Sequence, residues 1–320
     1  MEQVADPTDR ALLNDWQRDF PVSTRPFLAV AETLGTSEAE VIRRLQAKIE
    51  QGQITRVGAT VAPNTISAST LAAVSVPHSR IENVAEVIGA QPGVNHSYLR
   101  ENDWNIWFVV TGPDRSHVDT VLARISRKTG LRVLDLTLVR PFKLDLGFSL
   151  RRDGPYQHRA SRTPDISVLQ NGDREIVAKL TRGLPITMAP YRDIANRLGR
   201  AEAEVMTRIK TLIEGGILSR LGVIVRHRAL GWRSNAMVVW DLPHDAITDA
   251  GPVLAAQPGV TLCYERAPVP GLWPYRLYSM IHARTRAEAL DRLSAAAAQP
   301  ELRDVPHRAL FSSRCFKQTG

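Results

Sequence analysis

The chain has 320 residues, 43% of them hydrophobic, and 41 Lys and Arg against 33 Asp and Glu give it a formal charge of +8. That length gives room for about two domains, the apolar share supports several small cores, and the basic balance points to anionic partners: nucleic acid, phosphate or a polycarboxylate. Cys263 and Cys315, without CxxC or His/Cys ligand spacing, argue against a zinc or disulfide scaffold. No apolar run approaches the ~18 residues of a membrane span, and Met1–Arg10 is acidic and polar rather than signal-like, so the cytoplasm is the expected location.

Leu12 to Phe20 reads as a short amphipathic helix closed by Pro21. Pro26 then sits where a first helical residue is tolerated, and Phe27, Val30, Ala31 and Leu34 keep helical spacing up to a capping Gly35. Thr36 or Ser37 can cap the next helix, with Glu38 and Glu40 in its first turn. Val41, Ile42, Leu45 and Ile49 form its apolar face, it stops near Gly52, and Ile54–Val61 reads as a strand. Helix, glycine turn, helix and strand make a winged-helix outline, which recurs from Ile176 to Val225. The rest of the first half alternates as strand Leu71–Val76, helix Ile81–Ile88, strand Val94–Leu99, strand Trp104–Thr111, helix His117–Lys128 and strand Val133–Val139. That order is the ferredoxin-like split βαβ. After a linker rich in Arg, Gly, Pro and Ser at Arg151–Asp165, the second half repeats it through Ala236–Leu242, Ala246–Ala256, Val260–Glu265, Tyr275–His282, Arg286–Ala297 and His307–Phe316.

The two halves align residue by residue. Gly35, Ala39-Glu40-Val41, Arg56 and Gly58 match Gly199, Ala203-Glu204-Val205, Arg220 and Gly222 at one offset (199 − 35 = 164). Pro92-Gly93-Val94, Tyr98 and Arg100 match Pro258-Gly259-Val260, Tyr264 and Arg266 (258 − 92 = 166), and Phe142-Lys143 match Phe316-Lys317 (316 − 142 = 174). Offsets that grow in small steps mark a duplication with loop insertions. The expected fold is therefore α+β, a tandem duplication of a winged helix-turn-helix and a ferredoxin-like domain: helix-turn-helix at 1–62, ferredoxin-like at 63–150, linker at 151–165, helix-turn-helix at 166–226 and ferredoxin-like at 227–320.

A winged helix followed by a ferredoxin-like domain resembles the Lrp/AsnC transcription-factor architecture. Phe20-Pro21-Val22-Ser23-Thr24-Arg25-Pro26-Phe27, Gly93-Val94-Asn95-His96-Ser97-Tyr98-Leu99-Arg100, Trp104-Asn105-Ile106-Trp107-Phe108-Val109-Val110 and Lys143-Leu144-Asp145-Leu146-Gly147-Phe148 resemble instead its enzymatic relatives, the siroheme decarboxylases of the alternative heme and heme d1 pathways. In the second half, Gly259–Arg266 and Trp273-Pro274-Tyr275 resemble the partner subunit, so the chain looks like a fusion of two subunits. The resemblance implies loss of CO2 from two acetate side chains of siroheme, giving 12,18-didecarboxysiroheme. It implies no cofactor and no protein metal site, since the iron comes with the substrate. An internal pseudo-dimer is expected, with a homodimer and other heme d1-pathway decarboxylase subunits as candidate associations, and with neither DNA nor membrane as a partner. The alternatives are a DNA-binding regulator of Lrp/AsnC type and a heme-binding sensor that binds without turnover.

His96, Tyr98 and Arg100 alternate, so on one strand all three share a face. Imidazole, phenol and guanidinium supply an acid, a second donor and a carboxylate clamp; the plainer alternative is the polar face of a half-solvated sheet. With the resemblance, His96 becomes proton donor or iron-side ligand, Tyr98 orients the reacting carboxylate, and Arg100 clamps an acetate or propionate. The second half keeps Tyr264 and Arg266 but has Leu262 in place of His96, so one site has the full set. Arg56 and Arg220, beside Gly58 and Gly222, are candidate substrate clamps or else solvated wing arginines, and Lys143 and Lys317 are further candidate contacts. Trp104, Trp107 and Trp273-Pro274-Tyr275 wall a macrocycle slot or fill a core. His282 reads as a satisfied core histidine and His227 as part of a solvated basic turn. Arg43-Arg44 favour DNA, but Glu38, Glu40 and Glu50 on the same helix oppose phosphate tracking.

Overall fold

The structure, a computed structural model, describes residues 6–144, 163–226 and 229–318. The first half runs α1 (Pro7–Asn14), α2 (Pro26–Leu34), α3 (Glu38–Glu50), β1 (Ile54–Val61), β2 (Ala68–Val74), α4 (Ile81–Gly89), β3 (Val94–Arg100), β4 (Ile106–Gly112), α5 (Arg115–Thr129) and β5 (Val133–Leu144). The second runs α6 (Asp173–Arg182), α7 (Pro190–Leu198), α8 (Glu202–Glu214), β6 (Leu218–Val225), β7 (Ser234–Trp240), α9 (Ile247–Ala256), β8 (Val260–Arg266), β9 (Leu277–Ala283), α10 (Arg286–Ala297) and β10 (His307–Gln318). The duplicated α+β plan is therefore present in both halves.

Local chemistry sets the winged-helix elements. Gly35 and Gly199 end α2 and α7 in the left-handed conformation that glycine adopts without penalty, at φ 65° and 63°. The Ser37 hydroxyl accepts from the Glu40 N–H to start α3. The first helix differs from the sequence expectation of Leu12–Phe20. Asp6 accepts from the Asp9 N–H and Pro7 occupies the first turn, so α1 begins and ends earlier. Trp16 to Phe20 leaves the helix because it has other partners: Val223 donates to the Trp16 carbonyl (2.7 Å) and Phe20 donates to the Leu221 carbonyl (3.1 Å), both on β6 of the other half.

The exchange is reciprocal. Leu184, just after α6, donates to the Val57 carbonyl on β1 (2.7 Å). Each wing is thus covered by the leading segment of the other half, while β1 and β6 pair antiparallel with Gly58 opposite Gly222. Both glycines lack a side chain because a foreign backbone crosses there: a Cβ on Gly58 would lie 2.5 Å from the Leu180 carbonyl, and one on Gly222 2.3 Å from that of Gln17. One apolar core, including Phe27, Leu45, Val57, Tyr191, Ile209 and Val223, serves both winged helices.

The ferredoxin-like sheets exchange strands as well. Each has the order second, third, first, fourth strand, and the two join edge to edge into a closed eight-stranded barrel, β10-β3-β4-β2-β5-β8-β9-β7. β5 pairs with β2 through Thr137 and then with β8 from Leu138. β10 pairs with β7 through Phe311 and then with β3 from Ser312. This is why the fourth strands outrun the expected Val133–Val139 and His307–Phe316: the extra residues are the arms laid on the other sheet. Closure removes four sheet edges that would otherwise expose unpaired backbone. Helices α4 and α5, and α9 and α10, bury the outer faces, and the inner faces meet in a core containing Leu71, Trp107, Leu136, Met237, Tyr264, Tyr278 and Leu310. Among the described residues, no winged-helix element packs extensively on a barrel element.

The wing crossings set a first expectation. Gly58→Ala and Gly222→Ala each force backbone apart and cost about 1–3 kcal/mol, the range for overpacking. Gly89→Ala, which meets nothing within 4 Å, is neutral or slightly stabilising. Urea unfolding of the three variants separates these outcomes.

Candidate active site

A bulge at Asn95 resets β3, so His96 lies opposite Val109 and Tyr98 opposite Trp107, on the side of the sheet that faces the barrel interior. The His96 and Tyr98 rings stack with centroids 6.5 Å apart, and the Arg100 guanidinium carbon lies 5.6 Å from the Tyr98 ring. The three side chains therefore share one face.

Arg56 approaches the same histidine from the winged-helix layer. Its stem runs along Gly183, where a Cβ would lie 3.2 Å from that of Arg56, and beside Gly58. Arg56 Nε and Nη1 are buried and have no hydrogen-bond partner, and Nη2 reaches only the Ala59 carbonyl at 3.5 Å. Burial pushes the Arg56 pKa down. Burial, and secondarily the Arg56 charge, push the His96 imidazole below its ordinary value, so it is neutral at pH 7. A guanidinium held out of water without an anion is costly. Arg56, and His96 on which its charge acts, would both gain from a bound carboxylate.

The remaining expected residues occupy two mirrored sets of contacts between the halves. Arg100 is buried and donates from Nη1 to the Leu310 carbonyl (2.9 Å) and to Asn235 Oδ1 (3.3 Å). Its counterpart Arg266 donates to the Leu136 carbonyl (2.7 Å), and 310 − 136 = 174 is the offset of the fourth strands. Burial lowers the Arg100 pKa to about 10 and raises that of Tyr264, whose ring lies 4.7 Å from the Arg266 guanidinium. Lys143 donates to the Ala255 carbonyl in the last turn of α9 (2.9 Å), and Lys317 to the Gly89 carbonyl in the last turn of α4 (2.7 Å). Each lysine therefore caps a helix of the opposite half, where a cation meets the negative end of the dipole.

Arg220, the counterpart of Arg56, is half-buried on β6 opposite Thr60, and the second-half strand β8 keeps Tyr264 and Arg266 but carries Leu262 in place of the histidine. Trp107 is 1% exposed and packs 5.2 Å from Trp273 in the barrel core, next to Tyr275. His282 is a satisfied core histidine, bonded to Asn235 Nδ2 and Thr261 Oγ1 at 2.8 Å each. Sequence reasoning passed over Asn235, which joins Arg100 to His282; its local setting, Ser-Asn-Ala at the head of a strand, carries no signal of that role. His227, the Asp145–Phe148 part of the motif and 151–162 of the linker lie outside the described residues.

On α3, Arg43 is tied to Glu40 and Arg44 to Glu40, Asp6 and Asp9. The cations a groove-reading helix would spend on phosphates are already neutralised within the protein. Among the described residues there is no group of three or more His, Cys, Asp and Glu placed to hold a metal, and no helix is long and apolar enough to cross a membrane. Two clefts open on the barrel surface, of about 400 and 220 Å³, and neither has His96, Tyr98 or Arg100 in its walls.

Residues 9–54 and 173–218 match the siroheme decarboxylase NirDL-like HTH domain, and 66–143 and 229–317 the AsnC-like ligand binding domain. Over 317 residues, 98% of this chain and 97% of its relative, the sequence is 55% identical to the siroheme decarboxylase NirDL subunit of Paracoccus pantotrophus. The chain belongs to the siroheme decarboxylase family. The fold agrees with the crystal structure of the siroheme decarboxylase NirDL at a TM-score of 0.71 and 26% identity, covering 98% of this chain and 93% of that one. It agrees equally with the same enzyme in co-complex with an iron-uroporphyrin III analogue, at 0.69 and 25%, covering 97% and 92%. Both halves of the fused siroheme decarboxylase plan are therefore present, each with its own winged helix and AsnC-like domain.

The buried lysine gives this family member a pH signature. Burial lowers the Lys143 pKa to about 8, against an ordinary value of about 10.4. Between those values the unfolded chain binds more protons than the folded one, so this group's contribution to stability rises with pH across that window. Lys143→Met removes the rise: the stability difference, parent minus variant, grows from pH 8 to pH 10 in urea titrations. Parallel pH curves for the two proteins would show that the ammonium is not held out of water.

Proposed function

We infer that this chain is a siroheme decarboxylase that removes CO2 from two acetate side chains of siroheme to give 12,18-didecarboxysiroheme, with no cofactor beyond the iron that the substrate carries. The observation that carries the reading is the buried Arg56 guanidinium, with Nε and Nη1 unpartnered, whose charge acts on His96. A substrate edged with carboxylates supplies the missing anion.

The chemistry decides which carboxylate Arg56 holds. In decarboxylation the negative charge leaves the carboxylate and passes to the adjacent carbon. An arginine gripping the reacting group would therefore stabilise the ground state more than the transition state and slow the step. Arg56 is better used on a neighbouring, non-reacting carboxylate, fixing the macrocycle so that the reacting acetate lies on the apolar barrel side, near Tyr98. As the carbon–carboxylate bond breaks, CO2 departs and the electron pair stays on the methylene carbon. A proton from His96 converts that carbon to methyl, and the imidazole is reprotonated from solvent.

Binding prepares the acid. The free imidazole is held neutral by burial and by Arg56; an anion placed between them opposes both effects and raises its pKa. Substrate entry and proton uptake are then linked. Arg56 stands on the winged-helix layer and His96 on the barrel, and these layers have separate cores, so the seam between them is the route for a flat disc. We place the reaction in the cytoplasm, in keeping with described helices none of which is long and apolar enough to cross a membrane.

Anaerobic incubation of siroheme with the chain alone yields a product lighter by two CO2; recovery of unreacted siroheme from folded protein removes the activity. His96→Gln lowers turnover by ~10²–10⁴-fold with little change in siroheme affinity. Arg56→Gln weakens affinity by about 10- to 150-fold, the effect of losing a charge-assisted bond of ~1.5–3 kcal/mol. Calorimetric titration at pH 7 in buffers of different ionisation enthalpy reads the proton: the parent takes one up on binding, and His96→Gln does not.

A further inference from the structure

The smaller cleft lies where β10 leaves β7 and crosses to β3. Arg233, Arg284 and Arg286 surround it, with Glu101 as the one acid, and Asn235 and Ser312 lie at its base. Asn235 is 8% exposed, and the Ser312 hydroxyl is buried with no hydrogen-bond partner. Glu101 and Arg286 form a two-pronged pair, 2.8 Å at each contact, and the Arg286 guanidinium lies flat over Phe311 at 3.9 Å. A carboxylate of the protein thus already shows the geometry this rim accepts. No carboxylate in the described structure pairs with Arg233 or with the Arg284 side chain, which lies against Trp232.

The duplication supplies an internal control. The larger cleft is the same place in the first half: Ser67 stands where Arg233 does (233 − 67 = 166), and Pro113 and Arg115 where Arg284 and Arg286 do (284 − 113 = 171 and 286 − 115 = 171). There Arg115 is engaged by Asp119 and Asp135, and the other two cations are missing. The fold makes the cleft twice: the first copy adds one arginine from the winged-helix layer, Arg174 of α6, which donates to the Pro113 carbonyl (3.1 Å), whereas the second gathers both Arg233 and Arg284, neither paired with a carboxylate among the described residues. Its base is also wired inward, because Asn235 accepts from Arg100 and meets His282.

We infer that the cleft of Arg233, Arg284, Asn235 and Ser312 is a carboxylate-binding site, separate from the Arg56–His96 pair, that receives an acidic ligand on two arginine forks with the Ser312 hydroxyl donating at its base. The carboxylate comes either from a free small polycarboxylate or from a side chain of the tetrapyrrole; only the second source rests on the decarboxylase reading.

The test compares the full chain with the double variant Arg233→Ala/Arg284→Ala at low ionic strength, using citrate in calorimetry and siroheme in an absorbance titration. Arg127→Ala/Arg303→Ala, which removes two exposed arginines elsewhere, controls for lost net charge. Citrate binding that weakens about tenfold or more in the cleft variant alone, with siroheme unaffected, assigns a free carboxylate. Siroheme affinity that falls by a similar factor, without citrate binding, assigns a tetrapyrrole side chain. Unchanged affinity for both probes, or an equal fall in the control variant, overturns the site. Retained conversion of siroheme by the cleft variant in that case leaves the decarboxylase reading standing.

Discussion

Strand exchange between the two halves is the constraint on which the rest of this molecule depends. A ferredoxin-like sheet alone has two open edges and one uncovered face. Here Leu138–Leu144 and Ser312–Gln318 lie on the opposite sheet, and both edges and faces close at once. Two of the contacts that secure the arms are mirrored pairs, Arg100 and Arg266 on the fourth-strand carbonyls and Lys143 and Lys317 on the helix ends; a third, on one side, sets the Phe142 ring against Gly251, where a Cβ would lie 2.3 Å from it. The winged helices repeat the scheme with α1 and α6 on the opposite wings. Neither half can fold to its final state without the other, so the single chain behaves as an obligate dimer with its effective concentration fixed by the linker.

This explains why the barrel tolerates so many buried cations. Arg100 and Lys143 are buried and Arg266 is half-buried, and each donates to a carbonyl, so the charge is spread onto backbone dipoles without a buried carboxylate. The depressed pKa values of Arg100 and Lys143 record the remaining desolvation. Arg56 differs in kind. Its Nε and Nη1 are buried without any such acceptor, at the seam between two layers with separate cores. Arg100, Arg266 and Lys143 each have a short bond to a carbonyl of the other half, whereas the one carbonyl Arg56 reaches, that of Ala59, lies 3.5 Å away.

The sequence made the large features legible because they are periodic or repeated. The offsets of 164, 166 and 174 fix the duplication, the winged-helix pattern and the two ferredoxin-like orders. Alternation on β3 places His96, Tyr98 and Arg100 on one face, and the structure keeps them together despite the bulge at Asn95. What pattern could not carry is long-range pairing. The recurrence of Phe142-Lys143 and Phe316-Lys317 is visible, yet their partners, Gly251 with Ala255 and Gly89, lie in the other half. The Leu12–Phe20 periodicity suggests a longer helix, whereas Trp16 and Phe20 owe their burial to a wing that enters the chain some 200 residues later. Arg56 and His96 are 40 positions apart (96 − 56) in different layers, and only the fold lets the charge of one act on the other.

The two halves have been held to different standards by the same physics. The clasps must exist twice, because a barrel closed at one seam and open at the other still exposes an edge. A reaction centre need exist only once. Position 96 is histidine in the first half and its counterpart is Leu262 in the second, while Tyr98 with Arg100 and Tyr264 with Arg266 remain on both sides. The residues that repeat are those that hold a carbonyl of the other half or stack beneath it, and the one that does not repeat is the group able to give up a proton near neutral pH. The divergence thus divides one strand within a single chain: Arg100 and Arg266 serve the closure of the barrel on both sides, while the imidazole of His96 has no part in either clasp and is free to differ between the halves.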